Sequence, residues 1–211
     1  MNDLAPPRIS RRAAAVSVVV AMTVVGAVVG ALWSWLAPAI HGVVALTKDG
    51  DRIYAHIGNE ADHFFVAAFM LVGMLCAVAF IAAVWAWQWR AHRGAAMVGA
   101  LSIGAAAAAG AAAGVGALLV HWRYGTIDID GAPISPERRV HYVIEAPPVF
   151  FGHSPVLAAM TILFPAAVAA IVYALFAVAT ARDDLGAWPP VEEPVYVPPP
   201  VTTENVLPSA Q

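Results

Sequence analysis

Histidine is the side chain best placed to change charge or bind a transition metal near neutral pH, and the chain carries seven. Four of them, His41, His63, His121 and His153, flank the ends of long apolar runs rather than interrupt them. If those runs are antiparallel helices, all four imidazoles arrive at one level, with Glu60 and Asp62 beside them. Such a set offers two chemistries: ligation of a transition metal, or a cluster whose charge changes with pH. No His-x-x-His or Glu-x-x-His spacing fixes two of them on one helix face, and an imidazole also suits a membrane interface simply as a half-polar ring. Glu60-Ala61-Asp62-His63 has an equally plain use, because carboxylates at a helix N-terminus complement its dipole and cap free amides.

Other familiar chemistries lack their residues. Cys76 is the only cysteine and lies inside an apolar run, which rules out an intramolecular disulfide or a cysteine-based zinc cluster. There is no Walker loop, Gly-x-Ser-x-Gly elbow, His-Glu-x-x-His pair or dinucleotide fingerprint. The expectation is a protein that is not an enzyme and carries no cofactor. A net charge of -3 gives no broad basic surface for a phosphate backbone, so nucleic acid is not an expected partner.

The elements that must position the histidines are apolar. Hydrophobic residues make up 61% of the 211-residue chain and charged ones only 12%, well below the roughly 25% of a soluble domain. Four runs exceed the roughly 20 residues needed to span a bilayer: 13–38, 63–89, 95–120 and 155–181. A cleavable signal peptide competes for the first, since Ala37-Pro38-Ala39 resembles a cleavage site. The run is nevertheless much longer than the ~7–15 apolar residues of such peptides, so an uncleaved anchor is expected.

Arg90, Arg93 and the short connection at 90–94 place that turn in the cytoplasm by the positive-inside rule. Both termini, the tails 1–12 and 182–211, then share its side, in agreement with Arg8, Arg11, Arg12 and Arg182, while the loops 39–62 and 121–154 lie outside. Lys48, Arg52, Arg123, Arg138 and Arg139 in those loops make the bias modest. Tryptophans supply a second marker, because their rings favour the headgroup region. Trp33, Trp35 and Trp122 are expected at the outer boundary and Trp85, Trp87 and Trp89 at the inner one.

The outer loops carry strand signals. Asp49-Gly50 separates two β-prone runs and predicts a hairpin. A second hairpin is expected from Tyr124–Ile129 and Arg139–Glu145 about a turn at 130–133, and the two pair into one small sheet. The fold class is therefore all-α integral membrane, a four-transmembrane-helix bundle with two short extracytoplasmic β-hairpin loops. After Arg182 the proline-rich tail favours extended conformation.

No Asp, Glu, Lys or Arg interrupts the helix interiors, whose polar groups are Ser17, Thr23, Ser102, Thr161 and Tyr173. A charge there is costly and usually serves proton, ion or substrate coupling, so coupled transport by a monomer is disfavoured. The third helix is rich in glycine and alanine. Gly26-x-x-x-Gly30 in the first helix and Gly110-x-x-x-Gly114 in the third have the spacing that lets helix backbones approach in lipid. Packing within the bundle is the main expectation for both, with an oligomer interface as the alternative, and the third helix is expected at the centre. Pro165 removes a backbone donor from the fourth helix and predicts a kink.

Four features carry a resemblance: the Val43–Gly50 loop, Glu60-Ala-Asp-His-Phe-Phe65, the Arg-x-x-Arg-Gly turn ending at Gly94, and the glycine-rich third helix. In these the chain resembles an actinobacterial family of small membrane proteins, common in mycobacteria, whose function is unknown. The resemblance implies membrane location and this topology, and no catalytic residues. An arginine-rich, lysine-poor composition suits a GC-rich bacterial genome. The leading expectation is a non-enzymatic assembly component of the bacterial cell envelope, multi-pass in the inner (plasma) membrane, whose partners are the lipid bilayer and a homo-oligomer or other envelope membrane protein. An extracytoplasmic metal or small-ligand sensor and a small oligomeric channel or permease are the alternatives.

Overall fold

The computed structural model describes residues 7–182 and 184–187. The expected extended tail lies largely outside the described residues. Four long helices dominate: α1 (Arg11–Leu36), α2 (Asp62–Gln88), α3 (Ala95–Tyr124) and α4 (Pro155–Val178). At 24 to 30 residues each they are about 36–45 Å long by helical rise, against a hydrocarbon core of about 30 Å. All four are long and apolar enough to cross a membrane. Their outward residues are large and apolar, as in the Val16, Val20, Val24 and Val28 row of α1 and Met160, Phe164, Ile171 and Leu175 of α4. A water-facing bundle reverses that pattern.

Local chemistry sets the helix ends. The Ser10 hydroxyl accepts from the Ala13 amide, and α1 stops where Ala37, extended at ψ 130°, precedes Pro38. Ser154 caps α4, with Pro155 at its first turn. A 3-10 turn, Arg90–His92, joins α2 to α3, and Gly94 at φ 131° makes the reversal that a side chain would strain. α3 runs four residues past the expected end, to Tyr124, and stops at Gly125 with φ 68°. α4 continues through Pro165, which is buried, and the Thr161 carbonyl loses its usual backbone donor there.

α3 is the central helix: 44% of its most apolar stretch is buried inside the protein, against 33% for α2 and 22% for α1 and α4. It packs along α1 on one side and α4 on the other, and α4 carries α2. The α1–α3 contact is backbone on backbone. A Cβ built on Gly26 would meet the Ala108 backbone, 2.5 Å from its Cα, and one on Gly30 would lie 2.8 Å from the Ala112 Cα. On α3, Gly104 faces Met22 and Gly116 faces the Trp33 ring, so residues 104, 108, 112 and 116 form one small-residue row against α1. Gly110 and Gly114 do not join it. Both are exposed, and a Cβ on either would meet no atom of another described element within 4 Å, which corrects the expectation that they pack inside the bundle. They point away from α1 because the α1-facing row already occupies the opposite side of α3.

Two tryptophans also depart from their expected place. Trp35, Trp85 and Trp122 are 78%, 80% and 84% exposed, as suits rings in a headgroup layer. Trp33 and Trp87 are buried instead. The Trp33 indole donates to the Ala67 carbonyl at 2.8 Å, tying α1 to α2, and Trp87 packs edge-on to Tyr173 and stacks on Phe176 of α4. Both are core residues whose N–H or ring face holds two helices together.

At the end of the bundle away from Arg90, β1 (Ile40–Leu46), β2 (Arg52–His56) and β3 (Val140–Glu145) form an antiparallel sheet in the order β2-β1-β3. The first hairpin is present, with Val44 opposite Tyr54 and Gly42 opposite His56. The second is not. Tyr124 is consumed by α3, the Asp128 carboxylate closes a turn on the Gly131 amide, and β3 pairs with β1 instead of a hairpin mate. The Arg52 guanidinium holds the intervening loop by donating to the Ile129 and Ala132 carbonyls at 3.1 and 2.7 Å.

The α1–α3 contact generates a paired expectation. Gly26→Val should destabilise the protein by about 1–3 kcal/mol or more, because the colliding atoms are backbone and cannot rotate away. Gly110→Ala, which meets open space, should stay within about 1 kcal/mol of the parent in either direction. Thermal unfolding of both variants in a mild detergent checks the contrast.

Candidate functional site

The chemistry-bearing side chains gather where the sheet meets α1 and α2. Glu60, one residue before the N-cap of α2, turns its carboxylate back toward β1. Its Oε2 accepts from the His41 backbone amide at 3.1 Å and lies 3.1 Å from His41 Nδ1 and 2.9 Å from His63 Nδ1. His63 Nδ1 is also 2.9 Å from the Ala39 carbonyl. Both neighbours of that nitrogen are pure acceptors, so it carries the proton. These bonds to the charged form, first the His41 amide and then its ring, hold the Glu60 carboxyl below its ordinary value of 4.5. Glu60 therefore joins loop to strand. The capping role expected of it is not seen: the N-cap is Ala61, without a side-chain bond, and only Asp62 lies in the first turn to complement the dipole.

The four-histidine layer does not assemble. His41 and His63 meet on Glu60, whereas His121 sits in the last turn of α3 and His153 in the turn before α4. Among the described residues, no three His, Cys, Asp or Glu side chains are grouped to hold a metal ion. A position near a helix end does not by itself bring side chains together.

A second cluster crosses the sheet face that is turned inward. The Tyr54 hydroxyl on β2 donates to Glu145 Oε2 on β3 at 2.8 Å, passing over β1 between them. It passes at Gly42, where any Cβ would lie 2.5 Å from the Tyr54 ring. Burial and then the Glu145 carboxylate push the Tyr54 hydroxyl well above its ordinary value, so it stays a neutral donor. His56 sits edge-on to Tyr54 and to Phe64 of α2, with its Nε2 3.5 Å from Glu145 Oε2 and buried without a hydrogen bond. The sequence reading missed Tyr54, His56 and Glu145 as a group. The alternation of Tyr54 and His56 puts them on one face, but the partner appears only once β3 is known to pair with β1. On the opposite face Ile53, Val140, Tyr142 and Ile144 are exposed.

The far end of the bundle is basic. Arg93 donates from Nε to the Trp87 carbonyl and from one terminal nitrogen to the Leu185 carbonyl, both at 2.9 Å, and its guanidinium lies 4.2 Å from the Trp87 ring centre. His92 is buried edge-on to Trp89, and desolvation, with Arg11 nearby, pushes it below its ordinary pKa. It is held neutral.

Comparison with known proteins gives a family and no activity. The family described as "Protein of unknown function (DUF2567)" matches residues 22–187. Uncharacterized protein Rv1591 of Mycobacterium tuberculosis is 49% identical over 172 residues, 81% of this chain and 89% of that one. Uncharacterized protein ML1222 of Mycobacterium leprae is 49% identical over 171 residues, 81% and 86% of the two chains. No solved structure matches the chain.

The Glu60 junction has a defined acid limit. A depressed carboxylate pKa contributes stability above the ordinary value of 4.5 and loses it as pH falls through the lowered one. At pH 6, hydrogen exchange at the His41 amide should be faster in Glu60→Ala than in the parent, with Glu60→Gln between them. As pH falls through the lowered value the parent should approach Glu60→Gln; equal exchange in all three at pH 6 would refute the junction.

Proposed function

The chain belongs to the DUF2567 family of proteins of unknown function, and from that premise we propose that it is a four-span protein of the actinobacterial plasma membrane that works by assembly rather than catalysis. Its partner is a second membrane protein, first of all another copy of itself. The carrying observation is the outward side of α3, where Gly110 and Gly114 lie one turn apart with open space beside both. Ile103 and Leu118 stand exposed along the same helix. Lipid gives no hydrophobic force between helices, so a surface that lets backbones approach gains van der Waals contact that a leucine surface forgoes.

Charge supports an orientation. Arg11, Arg12, Arg90, Arg93 and Arg182 lie at or beside the helix ends opposite the sheet, closer to those ends than most of the basic residues of the longer loops, which favours the cytoplasm for that end. The sheet then stands outside the membrane, where exposed Ile53, Tyr142 and Ile144 supply a recognition face. Two rival readings lose support. A sensor built on the histidine layer lacks the convergence of His121 and His153 with the other two. For a transport path, Ser17, Thr23 and Thr161 spend their hydroxyls on carbonyls of their own helices, at 2.7–2.9 Å.

Single-molecule photobleaching of the labelled protein in its native membrane tests the proposal. The parent should bleach in several steps and Gly110→Leu with Gly114→Leu mostly in one, with membrane abundance and thermal unfolding retained. A parent that bleaches in one step, or a double variant that bleaches like the parent, would sink it.

A further inference from the structure

α1 and α2 are tied at the sheet end by the Trp33–Ala67 hydrogen bond, but α1 then follows α3 while α2 follows α4. Toward the Arg90 end a groove of about 680 Å³ lies between them. Its floor is the buried Met22, Ala86 and Leu101, and its rim is the exposed Val25, Ile81 and Trp85, so it opens sideways. Gln88 is the only lining side chain with a polar group besides the tryptophan indoles. The groove therefore suits a hydrocarbon chain.

Trp89 lines the groove and is followed by Arg90, which is exposed. On its other side Arg90 borders a second cavity of about 300 Å³, lined also by Arg93, Thr180 and Arg182. Arg93 is fixed to backbone carbonyls, and Arg182 is paired with Asp184. Among the described residues Arg90 makes no ion pair. Its charge acts on Arg93, of like sign, and after desolvation, the larger cause, that repulsion helps lower the Arg93 pKa. An apolar slot ending at an uncompensated guanidinium has the chemistry of an anionic amphiphile, and basic pockets beside spanning helices on the cytoplasmic side bind acidic lipid headgroups.

We propose that the groove between α1 and α2 holds an acyl chain of an anionic phospholipid whose phosphate-bearing headgroup rests on Arg90, with Arg93 behind it. This inference rests on the four helices crossing a bilayer and is independent of the α3 surface. Incorporation of the full chain into phosphatidylcholine nanodiscs tests that premise separately.

Lipid binding to the detergent-solubilised full chain is then followed by native mass spectrometry with three probes: phosphatidylglycerol, phosphatidylcholine with the same acyl chains, and inorganic phosphate. Phosphatidylglycerol should bind tightest. Arg90→Gln, an exposed change compatible with folding, should weaken phosphatidylglycerol about five-fold and leave phosphatidylcholine unchanged. Ala21→Trp, which fills the groove from its exposed wall, should weaken both lipids. Equal binding of the two lipids to the parent would overturn the proposal, as would phosphate displacing phosphatidylglycerol while Ala21→Trp had no effect, since the site would then read a free anion alone.

Discussion

The packing of Gly26 and Gly30 against the backbone at Ala108 and Ala112 is the contact on which the arrangement of the other helices depends. It fixes which side of α3 faces α1, and thereby which side is left for α4 and which is left bare. Large side chains at these positions would push the helices apart, and the Trp33 ring on Gly116 would lose its seat. That ring in turn places the indole that ties α1 to α2 through Ala67. One row of small residues thus sets the depth of the bundle, the position of α2, and the bare side of α3 where Gly110 and Gly114 stand.

A further glycine plays the same part outside the bundle. Gly42 lets Tyr54 reach across the middle strand to Glu145, so that β2 and β3, which share no backbone ladder, are joined by a side-chain bond. Glu60 fastens this sheet to the head of α2 through His41 and His63. Tyr54, Glu145, Glu60, His41 and His63 are thus spent on holding the sheet together and fastening it to the bundle. The opposite end is built differently: Arg93 is held by two carbonyls and the Trp87 ring and Arg182 by Asp184, while Arg90 is exposed.

The four helices were legible in the sequence because length and apolarity mark a spanning helix without reference to its neighbours. The Asp49-Gly50 hairpin was legible for a similar reason, since its turn chemistry is local. What failed to show were facts of pairing. Tyr124 reads as a strand residue, yet a helix already running to Gly125 absorbs it, and β3 finds β1 across the chain. Trp33 and Trp87 read as interface anchors by type, but a tryptophan near a helix end can point inward when a small residue or a second aromatic makes room. The histidines stand at or near helix ends, but only His41 and His63 are brought together, on Glu60, a partner that their spacing does not announce. For glycine spacing the same motif occurs twice and faces the core once; no residue near Gly110 announces the difference.

The central claim is that the bare side of α3 is an interface between copies. Its most direct test is oxidative cross-linking in native membranes, with single cysteines placed along residues 99–118 of α3 in a Cys76→Ala background. Cross-linked dimer should peak at positions 103, 110 and 114 and vanish at the buried positions 108, 109 and 112. A flat profile, or a stronger signal from Leu175→Cys on the outward side of α4, would contradict the account.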